Sequence, residues 1–172
     1  MVTLASVRPD TTYDGTDYVE ACRVLAGEGA SVVGLNCSRG PATMLPLIER
    51  IRAAVDIPVA AQPVPYRTDP ATPAFESLTG PDGRRLFPLE LESRAHTRFE
   101  LADFARDAAA LGVGYIGICC GGAPHHVRAM AEALGRTTAA SKYSPALELH
   151  PVLGAAPTPT VQREMGNWTV DA

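Results

Sequence analysis

Short apolar runs and longer stretches of helical periodicity take turns along this chain, and few folds accept that order. "VTLASV" (2–7), "SVVGLNC" (31–37), "IPVAAQPV" (57–64) and "VGYIGIC" (113–119) have strand length and strand composition. "GTDYVEACRVLAGEGA" (15–30), "PATMLPLIERIRAAV" (41–55), "TRFELADFARDAAALG" (97–112) and "APHHVRAMAEALG" (123–135) carry the helical spacing. Strands that alternate with helices build a parallel α/β sheet buried on both faces. Two arrangements satisfy the pattern. One is an open doubly wound sheet. The other is a part of a (β/α)8 barrel, whose full length is ~250 residues, so four β/α units amount to half of one. Pro46 within the second helical stretch predicts that this helix starts later than Pro41. Residues 65–93, rich in Pro and Gly, read as irregular. The expected division is a partial β/α barrel domain over 1–136 and an irregular C-terminal tail over 137–172.

Composition narrows the partners. With 46% hydrophobic and 20% charged residues the chain is globular in make-up. A formal net charge of −4, without a Lys/Arg cluster, argues against nucleic acid. No window approaches the ~20 apolar residues of a membrane span, and the N-terminus lacks the basic and apolar regions of a signal peptide. A cytoplasmic protein with no membrane partner is the expectation.

Chemistry gathers at strand ends. Parallel α/β proteins place their active sites at the carboxyl ends of the strands. Cys37 closes the second strand, and Cys119 and Cys120 close the fourth. Neighbouring strand residues point to opposite faces, so both thiols of the pair reach one point only where the strand stops and turns. Gly121 and Gly122 permit such a turn. Together the three thiols suit one zinc ion, tetrahedral with a fourth position open. Three plainer readings compete. Cysteines at strand ends also serve as core residues. Gly121 and Gly122 before a helix also suit a phosphate loop. His125 and His126, in a helix's first turn, are ordinary capping or solvated positions, as lone His96 and His150 are surface or outer-shell ones. Cys22, on an amphipathic helix, reads as a small buried hydrophobe.

Four segments carry a family resemblance. "GLNC" (34–37), "AQPVPYRT" (61–68), "FPLELESRAHTRFELADFARDAAALGVGYIGICCGGAPHHVRAMAEAL" (87–134) and "ASKY" (140–143) resemble the betaine–homocysteine S-methyltransferase family and its homocysteine-binding domain. The likeness implies a (β/α)8 barrel of which this chain is the C-terminal half. It implies zinc held by Cys37, Cys119 and Cys120, with no catalytic residue beyond these ligands. It also implies methyl transfer to homocysteine, from betaine or a similar donor, giving methionine. The family's N-terminal half, which holds the homocysteine amino group and lines the donor pocket, has no counterpart here. An N-terminal half-barrel or self-association is therefore expected to complete the fold, because raw sheet edges invite pairing. Asn36 and Gln62, beside the strand ends, and Gly121 and Gly122 are the candidate substrate-binding residues. Two alternatives stand beside this reading: a non-catalytic zinc- or thiol-binding half-domain, and a phosphate-binding α/β domain.

Overall fold

The structure, a computed structural model, describes residues 1–146. The chain divides into two compact units, Met1–Thr138 and Ala139–Ala172. The second contributes one described element, a 3-10 turn over Ala139–Tyr143, in which the Lys142 ammonium lies 4.9 Å from the centroid of the Tyr143 ring. Residues 147–172 of the expected tail, His150 among them, lie outside the described residues. No helix among the described residues is long and apolar enough to cross a membrane.

Met1–Thr138 holds four strands and four helices in strict alternation. The strands are β1 (Val2–Ala5), β2 (Val33–Asn36), β3 (Val59–Gln62) and β4 (Tyr115–Ile116). They form one parallel sheet in sequence order. The helices are α1 (Tyr18–Gly27), α2 (Pro41–Ala54), α3 (Arg98–Ala110) and α4 (Pro124–Ala133). Central strands β2 and β3 are buried along most of their length, while Val2 on β1 and Tyr115 on β4 are partly exposed at the two edges. One core joins sheet to helices: Val33, Leu35, Val59 and Ala61 pack with Tyr18 and Cys22 of α1, Met44, Ile48 and Ile51 of α2, and Leu101 and Phe104 of α3. Cys22 is fully buried, a core residue as its helix position implies, and burial pushes its thiol up to about 11.

Local chemistry explains the helix starts. Asp17 caps α1 by accepting from the Val19 and Glu20 amides at 2.8 and 3.4 Å. Thr97 and Glu100 form a reciprocal capping box at the head of α3. Burial would raise the Glu100 carboxyl, but hydrogen bonds from Thr97, Arg67 and His96 outweigh it and hold it at about 2. At α4, Ala123 has no side-chain acceptor, so only the return half of a box exists: the His126 Nδ1 accepts from the Ala123 amide at 3.2 Å.

Four expectations are corrected. Helix α2 begins at Pro41 and runs through Pro46 without a break. Pro46 and Ala42 both sit on the exposed face, so the missing Pro46 amide costs the helix its bond to the Ala42 carbonyl on the side away from the core. Strand β4 is only two residues long, so the paired cysteines stand beyond it in a loop rather than at its last positions. The 65–93 region is not merely irregular. It forms 3-10 turns at Phe75–Ser77 and Leu91–Arg94, and it builds a second small core from Val64, Phe75, Leu78, Leu86 and Leu91. His96, expected at the surface or in an outer shell, has a largely buried side chain, with Nδ1 3.2 Å from the Glu100 carboxylate.

Gly34 in β2 is required by close approach: a Cβ there would fall 2.0 Å from the Ala60 carbonyl oxygen. Gly34→Ala is expected to destabilise the chain by about 1–3 kcal/mol or more in urea unfolding, the usual scale of a forced backbone shift. Stability is also expected to depend on pH. His126 is 8% exposed, and burial first, then His125 and Arg98, hold its pKa below the ordinary 6.5. The unfolded chain then binds more protons, so this contribution is full above pH 6.5 and drains away as pH falls below it. Melting temperature should drop between pH 7.5 and 5.5. His126→Gln keeps an acceptor for the Ala123 amide and should flatten part of that slope.

Candidate functional site

The end of β3 gathers the site. The Cys37 amide donates to the Gln62 carbonyl at 2.9 Å, and the Cys119 amide donates to the Pro63 carbonyl at 2.8 Å. Consecutive carbonyls of an extended chain point to opposite sides, so β3 docks the β2 loop on one flank and the β4 loop on the other. The Gly117 amide, bonded to the Ala61 carbonyl at 3.0 Å, carries the β4 side of the ladder past its short strand. The result is that the sulfurs of Cys37, Cys119 and Cys120 all lie within 4.8 Å of one another. Cys37 Sγ is 3.4 Å and Cys119 Sγ 3.9 Å from Cys120 Sγ, although Cys37 and Cys120 are 83 positions apart in sequence.

These distances fit a single metal ion. A tetrahedral site with zinc–sulfur bonds of about 2.3 Å sets its sulfurs about 3.8 Å apart. The three cysteines are free thiols, and burial together with hydrogen bonding to Cys120 pushes the Cys37 thiol up to about 12. Soft sulfur donors at this separation suit a thiophilic ion such as zinc or copper(I).

Two turns make the convergence possible. Gly121 has φ +86°, and a Cβ there would meet the Tyr66 hydroxyl at 2.4 Å. The Gly122 amide closes this turn onto the Cys119 carbonyl at 2.8 Å. On the other side the backbone turns without glycine: Cys37 and Ser38 both have φ 60°. Each left-handed non-glycine residue costs roughly 1–2 kcal/mol, and several contacts hold the pair there. The Ser6 hydroxyl donates to the Cys37 carbonyl at 3.1 Å, the Phe75 amide donates to the Ser38 carbonyl at 2.8 Å, and the Ser38 hydroxyl donates to Glu76 Oε1 at 3.0 Å.

Arg39 anchors the same loop from below. Its buried guanidinium donates to the carbonyls of Ser6, Thr43 and Arg8 at 3.2, 3.2 and 2.9 Å, and also to that of Pro9. Burial lowers its pKa. Tyr66 closes the other side: its ring stacks on Phe75 at 5.5 Å, and burial, Glu92 and Cys120 raise its hydroxyl. Asn36 and Gln62 are register partners on adjacent strands, and the Gln62 side chain lies over Gly117. The Gly122 and Ala123 amides are already engaged by the Cys119 carbonyl and His126 Nδ1, which leaves the glycine turn poorly equipped to cradle phosphate.

Sequence reasoning missed Ser38, Arg39, Tyr66 and Glu76. Tyr66 stood within the quoted "AQPVPYRT", and Arg39 between the cysteine and the Gly-Pro helix start, so both positions carried a signal. Glu76 carried none, because only the fold of the 65–96 excursion brings it to Ser38.

Residues 1–134 match the family model of homocysteine S-methyltransferase. The S-methylmethionine–homocysteine S-methyltransferase BHMT2 of Pongo abelii is 42% identical over 116 residues, which cover 64% of this chain and 30% of that protein. The betaine–homocysteine S-methyltransferase 1 of Danio rerio is 37% identical over 134 residues, covering 74% and 32%. That of Xenopus laevis is 38% identical, with the same coverage. Among solved structures, the oxidized form of the homocysteine methyltransferase MmuM from Escherichia coli superposes with a TM-score of 0.51 at 18% identity, covering 75% of this chain and 34% of that one. The four β/α units are accordingly a partial barrel of the (β/α)8 type. The chain spans about a third of the length of the curated relatives it matches.

Arg39→Met would remove the buried guanidinium that ties the carbonyls of Ser6, Arg8 and Pro9 to the first turn of α2 at Thr43. We expect a loss of at least about 3 kcal/mol in chemical denaturation, together with faster hydrogen exchange in residues 6–10.

Proposed function

The chain belongs to the homocysteine S-methyltransferase family, and we propose that it supplies the zinc-holding part of a site that transfers a methyl group to homocysteine, giving methionine. Cys37, Cys119 and Cys120 are the proposed ligands. The observation that carries this reading is the meeting of three free thiols, from loops far apart in sequence, at the spacing of one tetrahedral ion. Bound there, zinc would supply Lewis acidity that keeps a sulfur ligand deprotonated at neutral pH.

The chain's own residues do the rest. The three thiols give up their protons to become ligands, so metal uptake is proton-linked and strengthens as pH rises. Three protein donors leave one tetrahedral position for a substrate sulfur. Asn36 and Gln62 present amide groups on the same rim, and Tyr66, packed over Gly121, keeps water off one side of the thiols. The homocysteine thiol loses its proton to solvent. Its sulfur pair forms the new bond to the donor methyl in line, and the electrons of the broken carbon–nitrogen bond leave with the amine. Placing both reactants on one rim supplies proximity.

Betaine is the proposed donor, with dimethylglycine as second product, in keeping with the betaine-dependent names of relatives that cover 74% of the chain. The 42% identity to a protein named for S-methylmethionine favours a second donor, a sulfonium whose carbon–sulfur bond breaks instead. The open edges at β1 and β4 support completion of the barrel by a further half or a second copy. A half-domain that binds zinc without turnover is the rival outcome.

The 172-residue chain should hold about one zinc by elemental analysis, as one tetrahedral site requires. Cys37→Ser, Cys119→Ser or Cys120→Ser should each weaken binding beyond the roughly 10–100-fold that loss of an outer-shell partner costs. Unchanged metal content in Cys37→Ser would sink the zinc reading. Methionine formation, assayed with betaine and with S-methylmethionine, alone and with the N-terminal half-barrel of a relative supplied in trans, separates the enzyme from the zinc-binding half-domain. Zinc bound with no methionine under any condition selects the latter.

A further inference from the structure

We propose that Glu76 is a positioning residue for the thiol site: through Ser38 it holds the Cys37 sulfur toward the other two. This rests on the zinc reading above and adds a residue outside the ligand set.

Cys37 and Ser38 take up left-handed backbone that neither residue favours. The grip on Ser38 comes from two consecutive residues of the excursion. The Phe75 amide holds its carbonyl at 2.8 Å, and Glu76 Oε1 accepts from its hydroxyl at 3.0 Å. Main chain and side chain of Ser38 are thus fixed together, and the residue is 2% exposed. Fixed this way, Ser38 holds the backbone turn that presents the adjacent Cys37 sulfur to the other two. The hydroxyl contact spans 38 positions of sequence, so it ties the thiol loop to a separate part of the fold.

The other carboxylate oxygen sharpens the point. Glu76 Oε2 is shut away from solvent and has no hydrogen-bond partner among the described residues. A carboxylate oxygen placed that way is a cost to the fold, and among the described residues the hydrogen bond that offsets it is the one from Ser38. Glu76 is not itself among the clustered donor atoms, so it acts through Ser38 rather than as a fourth ligand. Outer-shell partners of this kind orient metal ligands and tune their donor strength.

The test uses the full chain loaded with cobalt(II), whose sulfur-to-metal charge-transfer band reports thiolate geometry directly. Glu76→Ala and Ser38→Ala should each weaken cobalt binding about 10-fold or more in chelator competition and shift the band, while Glu76→Gln, which keeps the acceptor, should stay within about threefold of the unmodified chain. Thermal melts of the metal-free variants accompany the titrations. Should Glu76→Ala fail to fold, Ser38→Ala and Glu76→Gln decide, because both change only the hydrogen bond or the charge. Indifference of affinity and band to Ser38→Ala or Glu76→Ala overturns the inference, as does equal damage from Glu76→Gln and Glu76→Ala. If the unmodified chain takes up no cobalt, the zinc reading itself falls. If it binds and Glu76 does not matter, only this inference does.

Discussion

Two carbonyls at the tip of β3 organise this molecule. Gln62 receives the Cys37 amide and Pro63 receives the Cys119 amide. Because successive carbonyls of an extended strand face opposite ways, one short segment reaches both neighbouring loops at once. Pro63 suits the place: it has no amide to extend the ladder, so β3 ends at Gln62, yet its carbonyl still accepts. Every sulfur distance in the site follows from that docking. The sheet behind it matters chiefly because it keeps β2, β3 and β4 in parallel register, with Asn36 opposite Gln62.

The two cores divide the labour. The larger one, between sheet and helices, fixes the strands from behind. The smaller one, under the excursion between β3 and α3, approaches from the front and touches Cys37, Tyr66 and Cys119. A thiol cluster needs both, since a strand end alone leaves side chains free to rotate into water. Electrostatics reinforce the division. The buried Arg39 cation is satisfied by carbonyls from both sides of β2, whereas the front carries acidic groups, with Glu76 against Ser38 and Glu92 near Tyr66.

The alternation of elements was legible because helical and strand periodicities differ, and all eight elements fall where their patterns lie. The convergence of Cys37 with Cys119 and Cys120 was legible from one rule, that parallel strands end on a common rim. What escaped has physical reasons. Pro46 costs α2 a hydrogen bond, and the burial of Met44, Ile48 and Ile51 on the opposite face outweighs that cost. The left-handed pair Cys37–Ser38 is invisible to residue propensities, which assign that backbone to glycine. Glu76 and Tyr66 meet the site through tertiary folding of a segment with no periodicity of its own. The half-barrel extent came from family likeness, since four β/α units in isolation also suit an open sheet.

The small front core has one more consequence. It rests on five buried side chains and two short 3-10 turns, far less apolar burial than anchors the strands, which is the setting in which a segment opens locally before the whole fold does. Such local opening would uncover Cys37 and Cys119, the two half-buried members of the trio, without global unfolding. On the zinc reading proposed above, entry and exit of the ion would then follow the opening equilibrium of that segment, and its rate, rather than thermodynamic affinity, would set how long a loaded molecule survives a competing chelator.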